Sequence, residues 1–584
     1  RGGVPIERVA TVTIASLRVV GRGGRIVRII AFSDLKPNQH VQSVRNRDGQ
    51  LEVTFTPGAN DPQFAIDFAP PLLLKATRAE LASSFFPRAL SVFAALAALC
   101  LGLDRAPRIR TRLVQTARRL AQRPGRAVAV VAAVCVVASA YPVVFLGKSY
   151  VSPNHGTTLL YEAFPTLPGT KSRETVDVKG TDLGAIMWSH IPVSMIQQRA
   201  LAQGELPLWN RYNSAGTPLL GQGQSMFGDP LQLLVVLAKG AAWAWDLKYL
   251  VVKWLFATAL GLLVLAFTRV PRDGSEGAAP GHLPAALLVT VAAPFLGFFY
   301  YRLNHPAIFS LCYAPWALYC WVRVAQAATR RAAAGWTAGL MLANLALMNS
   351  GTAKEAYMLL LCMNFSGACV LLADPAPWRV RLAKFAGLAW AGVLFVLLTA
   401  PIWATFLNTL KNAYTTYSGE TAYQIQPGML LGAFDEIFYR PLMIEERTFN
   451  PSVNFLVLAG LLYFLATLRL SSANRPVTAL AASALVPLSL AFGLVPASWI
   501  VQVPFLANVE HVDNTFSCAL LVLWSVLAGV GFATAASRLR TPEGRGDLAV
   551  CGLLLFALVF AWIGFRQASQ RPIFGPGTTF TPLQ

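Results

Sequence analysis

The sequence predicts a polytopic α-helical membrane protein that carries a small β-domain at its N-terminus. Of its 584 residues, 55% are hydrophobic and only 13% are charged, and the mean hydropathy is +0.50. A soluble globular domain of this size is far more polar. Apolar runs long enough to cross a bilayer, which takes about 20 helical residues, recur from residue 86 onward. Before them, the chain alternates apolar and polar side chains.

Residues 1–84 have the pattern of a β-sandwich-like domain. The stretches "LEVTF" at 51–55 and "FAIDF" at 64–68 alternate between apolar and polar residues, and "VTIASLRVV" at 12–20 is rich in β-branched side chains. Asp48-Gly49 stands where a two-residue hairpin turn belongs. These signals predict a small antiparallel domain.

About twelve membrane spans follow, each read from an apolar run. Two of them, at 336–348 and 455–468, are short. The predicted spans are 86–103, 127–147, 247–267, 283–301, 307–324, 336–348, 355–372, 385–406, 455–468, 477–495, 516–535 and 548–565.

Basic linkers set the predicted orientation. The linker at 104–126 holds eight arginines against one aspartate, and by alternation the same side receives five further short basic linkers. Such linkers face the cytoplasm, so the net charge of +21 indicates topology and not nucleic-acid binding. We therefore expect the β-domain to be extracytoplasmic, and residues 85–126 to form a first span and its cytoplasmic linker. Residues 127–566 then form a helical core with a large outer loop at 148–230, and 567–584 an outer segment that leads into a further domain.

Cysteine and histidine usage points away from metal chemistry. All eight cysteines lie in apolar segments without a CxxC pair, and the six histidines show no HExxH spacing. We expect buried thiols and no metal site, and the sequence indicates no cofactor.

The outer loop contains a stretch unlike the rest of the chain. Residues 205–230, "ELPLWNRYNSAGTPLLGQGQSMFGDP", combine Trp209 and Tyr212 with several amides and three closely spaced glycines. Sugar hydroxyls need donors and acceptors, and sugar C–H faces lie well on aromatic rings, so this composition suits saccharide binding. Irregular backbone near a bilayer is also tolerated where it packs into protein, and a packed re-entrant loop stays open as an alternative. The candidate contact residues are Trp209, Asn210, Tyr212, Asn213, Gln222 and Gln224.

A helix is predicted just upstream of this stretch, with Gly180-Thr181-Asp182 at its entrance. Apolar residues spaced from 186 to 196 indicate an amphipathic, interfacial helix. Asp182 suits an N-terminal cap, which accepts backbone N–H groups, and it equally suits a general base. The residue types alone leave both roles open.

Four segments resemble one known family. "GTDLGAIMWSHIP" at 180–192 and "GELPLWNRYNSAGTPLLGQGQSMFGDPLQLL" at 204–234 are similar to the first outer loop of YfhO-like bacterial membrane proteins, relatives of the GT-C glycosyltransferase superfamily. "LNHPAIFSLCYAPWAL" at 303–318 and "NSGTAKEAYMLLL" at 349–361 resemble two later outer-facing positions. The resemblance covers the core from about residue 127 and does not extend to the β-domain.

The resemblance implies a GT-C-like core that transfers sugar from a polyprenyl-phosphate donor to an envelope glycan or glycolipid, outside the bacterial cytoplasmic membrane. An acid in the first outer loop of such enzymes serves as the base or positions the acceptor, and Asp182 matches it, although the paired acids common in the family are missing here. A base takes the acceptor proton and cations hold the departing phosphate. The cations and polar groups expected on the outer side are Arg211, Arg302, Lys354 with Glu355, His190 and His305.

Each of these groups also has an ordinary structural explanation. Outer-face arginines and lysines commonly extend to lipid headgroups, and a lone histidine is often a core residue. Two other classes of function remain open, a transporter or flippase of lipid-linked saccharides and a non-catalytic scaffold in envelope assembly.

Overall fold

A computed structural model describes most of the helical region and much of the N-terminal one. The described residues are 11–20, 26–57, 63–68, 105–151, 186–212, 216–269, 282–302, 305–412, 427–434, 453–468, 475–503, 512–538 and 578–580, with a few isolated positions between them.

The strands and helices are numbered in chain order. The strands are β1 Thr11–Ile14, β2 Leu17–Val20, β3 Ile26–Ile30, β4 Leu35–Gln39, β5 Val41–Arg47, β6 Gln50–Phe55, β7 Gln63–Ile66, β8 Trp209–Asn210, β9 Thr217–Pro218 and β10 Thr578–Phe580. The helices are α1 Pro107–Ala121, α2 Pro124–Ser139, α3 Tyr141–Leu146, α4 Ile191–Ala202, α5 Pro230–Leu237, α6 Ala242–Phe267, α7 Leu283–Ala292, α8 Phe298–Tyr301, α9 Ala307–Ala325, α10 Arg330–Asn349, α11 Ala353–Leu372, α12 Trp378–Asn412, α13 Phe455–Thr467, α14 Arg475–Ala491, α15 Ala497–Ile500 and α16 Val512–Arg538.

The N-terminal unit is a small antiparallel β-structure, as predicted. One sheet has the order β1-β6-β5, and β2 pairs with β3 in a hairpin. Asp48 and Gly49 connect β5 to β6 with φ of 51° and 75°, the left-handed geometry that a tight hairpin turn needs. Val53, Phe55 and Phe64 are fully buried, so the alternating residues form a core.

The other sheet has the order β10-β7-β4, and its strand β10 comes from the far end of the chain. Thr578 pairs with Ile66 and Phe580 with Phe64. Sequence reasoning expected the segment after 567 to lead away into a further domain. It did not anticipate that three of these residues would complete the N-terminal sheet, because strand pairing between distant segments leaves no local signal.

Among its described residues, the helical unit has five helices long and apolar enough to span a membrane, namely α6, α9, α11, most of α12 and most of α16. The same described residues include four shorter apolar helical segments at Pro124–Ser139, Leu283–Phe295, Phe455–Thr467 and Arg475–Ala491. Almost every residue of α9 is buried, because α6, α10 and α11 pack around it. The chain is therefore a helical membrane protein with an N-terminal β-structure.

Eight of the predicted spans each coincide with one described helix, and the span predicted at 127–147 is divided between α2 and α3. The predictions at 86–103 and 548–565 lie largely or wholly outside the described residues. The span predicted at 283–301 is wrong as a single helix, because α7 ends at Ala292 and a 3₁₀ turn follows before α8. Pro294 lies in that turn, and proline cannot continue the backbone hydrogen-bond ladder.

The helix predicted upstream of the loop is present as a π-helical turn, Ile186–His190, that continues into α4. The predicted helix is therefore present, but its buried face is partly polar. The buried residues of α4 include polar Ser194 and Gln197, whereas Met195 is 41% exposed. These polar residues are buried because they are hydrogen-bonded: Ser194 Oγ donates to the carbonyl of His190, and Gln197 Nε2 donates to the carbonyl of Ser225.

Candidate functional site

The glycine-rich loop 204–230 packs closely against the helical unit. Its strands β8 and β9 pair at Trp209–Pro218 and Asn210–Thr217. The carbonyl of Gly223 accepts a hydrogen bond of 3.0 Å from the backbone N–H of Ala353, at the start of α11. This contact ties the loop to a helix end.

Two of the glycines in the loop are required by their surroundings. Gly223 has φ +76°, and a Cβ there would lie 2.3 Å from the ring of Phe406 on α12. Gly216 has φ +103°, and a Cβ there would lie 2.3 Å from the Trp209 indole nitrogen. A side chain at either position meets both backbone strain and a clash. The close packing that the sequence left open as an alternative is therefore present.

A buried ion pair closes the C-terminal end of the loop. Asp229 Oδ2 lies 2.6 Å from Lys248 Nζ, and both side chains are fully buried. Asp229 Oδ1 accepts a hydrogen bond of 2.9 Å from Tyr313 Oη on α9 and one of 3.1 Å from the backbone N–H of Leu231. Asp229 is thus the N-cap of α5 and joins the loop to α6 and α9.

The polar contacts continue through side chains on α5 and α4. Lys248 Nζ donates to Gln232 Oε1 at 2.7 Å, and Gln232 Nε2 donates to Ser194 Oγ at 2.9 Å. Ser194 Oγ then donates to the carbonyl of His190 at 2.7 Å. We name Asp229, Lys248, Gln232, Tyr313 and Ser194 the Asp229 cluster.

Aromatic and sulfur groups surround the ammonium group of Lys248. Its Nζ lies 4.2 Å from the centroid of the Phe309 ring and 3.4 Å from Met226 Sδ. An aromatic face attracts a desolvated cation. Met226 has φ 53°, a left-handed conformation that is uncommon outside glycine, so the turn that brings it to Lys248 holds a strained residue.

The Asp229 cluster can position the loop, but it is too enclosed to act on a substrate. The carboxylate already forms an ion pair with a lysine and accepts hydrogen bonds from a tyrosine and a backbone N–H. Removing one member of a buried ion pair leaves an uncompensated charge, at a cost of about 3–5 kcal/mol. The cluster therefore holds the end of the loop against α5, α6 and α9.

His190 lies at the end of the π-helical turn and is 3% exposed. Burial, together with the charges of Lys248 and His305, lowers the pKa of His190 to about 3. The imidazole is neutral at physiological pH. His190 is thus a buried, neutral imidazole beside the Asp229 cluster.

Most candidate contact residues of the loop have exposed side chains. Trp209 is 54% exposed and Tyr212 is 58% exposed. Gln222 and Gln224 are exposed as well, whereas Asn210 is buried and accepts a hydrogen bond from the Tyr212 backbone N–H. The loop thus presents two rings and two amides on its surface.

Arg211 and Tyr212 are held by neighbouring side chains. The Arg211 guanidinium forms an exposed ion pair with Glu205. The guanidinium of Arg199 on α4 lies 5.5 Å from the centroid of the Tyr212 ring. Both contacts restrict the movement of the segment that follows β8.

The remaining candidate residues lie at helix ends. Arg302 is buried after α8, and His305 Nδ1 accepts a hydrogen bond from the Ala307 backbone N–H at the start of α9. Lys354 and Glu355 begin α11 and are half-buried, and Thr352 Oγ1 donates to Glu355. Lys354 and Glu355 directly follow Ala353, whose backbone N–H donates to the carbonyl of Gly223 in the loop. Asp182 and Asn213 lie outside the described residues.

Sequence reasoning missed the Asp229 cluster. It gave Asp229 no role, and Lys248 fell within the apolar span predicted at 247–267. An ionisable residue within a span is by default a functional candidate, and that signal was available for both lysines of α6. The second, Lys253, is 7% exposed, and its Nζ lies 3.0 Å from Ser139 Oγ.

Within the described part of the chain, no group of three or more His, Cys, Asp or Glu residues is placed to hold a metal. The six cysteines described there are free thiols, four of them buried. No protein-family model matches the chain, and no curated protein matches it either.

Proposed function

We propose that the protein is a membrane glycosyltransferase that uses a polyprenyl-phosphate-linked sugar and acts on an envelope glycan or glycolipid. The observation that carries the proposal is the loop at 204–230, which exposes Trp209, Tyr212, Gln222 and Gln224 on a backbone anchored to four helices. Rings and amides held on a rigid support suit a saccharide, because little side-chain entropy is lost on binding. The resemblance of this loop to YfhO-like proteins adds the donor class.

The proposed chemistry is a single inverting displacement. The acceptor hydroxyl oxygen bonds to the anomeric carbon while the bond from that carbon to the phosphate oxygen breaks. The polyprenyl phosphate leaves with the electron pair, and the carboxylate of Asp182 takes the hydroxyl proton. General-base catalysis of this kind contributes about 10²–10⁴-fold to the rate.

We place the loop outside the bacterial cytoplasmic membrane, on the grounds of the basic linkers. The pairing of β10 with β7 constrains the number of membrane crossings between them to be even. Two strands of one sheet lie on the same side of a bilayer, so the chain between them crosses the membrane an even number of times. The twelve predicted spans all lie between these two strands and satisfy this condition.

The test is a transfer assay with the protein in lipid nanodiscs, a radiolabelled polyprenyl-phosphate sugar and native envelope acceptor. Asp182→Asn keeps the size and any capping role of the side chain, and we expect a loss of about 10²–10⁴-fold. Asp177→Asn is the matched control and retains activity. Asp229→Asn is unsuitable as a control, because Asp229 pairs with a buried lysine. Full activity of Asp182→Asn would refute the assignment of the base.

One observation favours a transporter of lipid-linked saccharides as the second candidate. Two buried lysines, Lys248 and Lys253, lie on the membrane-length helix α6, and intramembrane charges often mark transport pathways. The same nanodisc protein distinguishes the two functions when it is placed in sealed vesicles. A transporter moves the labelled lipid between leaflets without an acceptor, whereas the transferase consumes the donor only when the acceptor is present.

A further inference from the structure

Helix α1, Pro107–Ala121, is strongly basic. Its sequence "PRIRTRLVQTARRLA" contains five arginines and no acidic residue. Only Gln122 and Arg123 separate it from the apolar helix α2. A cationic helix is therefore joined by two residues to a segment that enters the hydrophobic part of the molecule.

The charges of α1 lie beside a stripe of apolar residues. With about 3.6 residues per turn, positions 108, 112 and 119 fall in one narrow stripe along the helix, and all three are arginine. Positions 109, 113 and 120 form a second stripe roughly a quarter of a turn away, and all three are apolar. This arrangement is typical of a helix that lies in the plane of a membrane surface.

The described side chains of α1 are not covered by protein. Ile109 in the apolar stripe is 56% exposed, and Arg108, Arg112, Arg118 and Arg119 are exposed. An exposed isoleucine next to exposed arginines on one helix suits a partner that is apolar inside and anionic at its surface. A bilayer with anionic phospholipids has both properties, whereas a neutral bilayer lacks the second.

We infer that α1 lies on the membrane surface and binds the headgroups of anionic phospholipids through Arg108, Arg112 and Arg119. Ile109 inserts below the headgroups, and the arginine stripe contacts lipid phosphates. Basic linkers determine orientation in the membrane without binding particular lipids, whereas α1 binds anionic headgroups. This binding does not depend on whether the protein transfers sugars.

The experiment uses the full chain in nanodiscs, with a spin label at Ile109→Cys or at Gln115→Cys on the exposed polar side. Accessibility of the label to oxygen and to a water-soluble nickel complex reports its depth. In nanodiscs with about one third phosphatidylglycerol we expect the label at 109 to be reached by oxygen and shielded from nickel, and the label at 115 to stay open to nickel. The parent protein, treated with the same labelling reagent, measures any background signal from native cysteines.

The combined variant Arg108→Gln, Arg112→Gln, Arg119→Gln tests the electrostatic part. Each arginine near an anionic surface is worth about a fivefold change in partition, so the three together weaken surface binding about 100-fold. The label at 109 then becomes open to nickel in anionic nanodiscs, as it does for the parent in purely zwitterionic ones. Arg330→Gln, Arg331→Gln, Arg475→Gln removes the same charge from other exposed positions and leaves the label at 109 shielded.

Two results would overturn the inference. If the label at 109 is equally accessible to nickel in anionic and zwitterionic nanodiscs, anionic lipid is not the partner. If it is shielded from both reagents in every nanodisc, α1 packs against protein instead.

Discussion

The ion pair Lys36–Asp67 of the N-terminal unit and the ion pair Asp229–Lys248 of the helical unit are almost equal in length, at 2.7 and 2.6 Å. Their surroundings are opposite. The side chains of the first pair are 68% and 48% exposed, whereas those of the second are both fully buried. Water already solvates both charges of the first pair, so the ion pair contributes little to the free energy of unfolding. The second pair is shielded from solvent, so removing either partner would leave the other as an uncompensated buried charge.

The largest expected effect is the loss of the buried carboxylate. Asp229→Asn keeps the shape of the side chain but leaves the Lys248 ammonium without its counter-charge. We expect a destabilisation of about 3–5 kcal/mol, measured as a lower midpoint of thermal unfolding in nanodiscs. An unchanged midpoint would show that the surroundings of Lys248 compensate for the charge alone.

Removing both charges together sharpens the same comparison. The double variant Asp229→Leu, Lys248→Met should be more stable than Asp229→Asn, because no buried charge is left uncompensated. The recovery is incomplete, since Tyr313 and Gln232 each lose a hydrogen-bond partner, at about 1–3 kcal/mol each. A double-mutant cycle in which the two single effects simply add would contradict the coupling.

Two glycines extend the comparison from charge to packing. Gly223 in the loop and Gly49 in the β5–β6 turn have nearly the same φ, +76° and +75°, but only Gly223 has the Phe406 ring against it. We expect Gly223→Ala to cost about 2–4 kcal/mol, from backbone strain and a clash, and Gly49→Ala about 1 kcal/mol from strain alone. Unfolding midpoints of the two variants measure the difference, and equal costs would mean that Phe406 moves aside freely.

A pH dependence follows from the buried His190. Its pKa in the folded protein is lowered to about 3, so between that value and the ordinary value near 6.5 the unfolded chain binds the proton more readily. Stability is therefore fully present above about pH 6.5 and falls as the pH decreases, by about 2 kcal/mol between pH 6.5 and pH 5.

The variant His190→Asn should lose this part of the acid sensitivity. Thermal unfolding at pH 7 and pH 5 measures it, with His40→Asn at an exposed position of the N-terminal unit as the matched control. If His190→Asn and the parent lose the same stability on acidification, His190 is not the responsible group.

The smallest effect is expected for the exposed pair. The hydrogen bond that Lys36 donates to Asp67 raises the pKa of Lys36 above its ordinary value, so any stabilisation is present at neutral pH and is lost only in strongly alkaline solution. Because both side chains are well solvated, Asp67→Asn should leave the unfolding midpoint unchanged within error. A shift as large as that of Asp229→Asn would remove the contrast between the two pairs.

The candidate site was only partly predictable. Composition alone marked the loop at 204–230, because tryptophan, amides and glycines stand out against an apolar chain. Which of these residues face outward was not predictable, and neither was the burial of His190. The side-chain partners of Asp229 include Lys248 and Tyr313, and no spacing rule connects a loop aspartate to side chains on two separate helices.

The sequence by itself determined the elements with local causes. Apolar runs produced the long helices, alternation with Asp48-Gly49 produced the β5–β6 hairpin, and Pro294 interrupts the helix that the apolar run alone predicts. Only the tertiary structure decided that β10 joins β7, that Gly223 lies against Phe406, and that Asp229 meets Lys248. The reason is physical. Helix and turn preferences depend on neighbouring residues, whereas strand pairing, close packing and ion pairing depend on which distant segments the whole chain brings together.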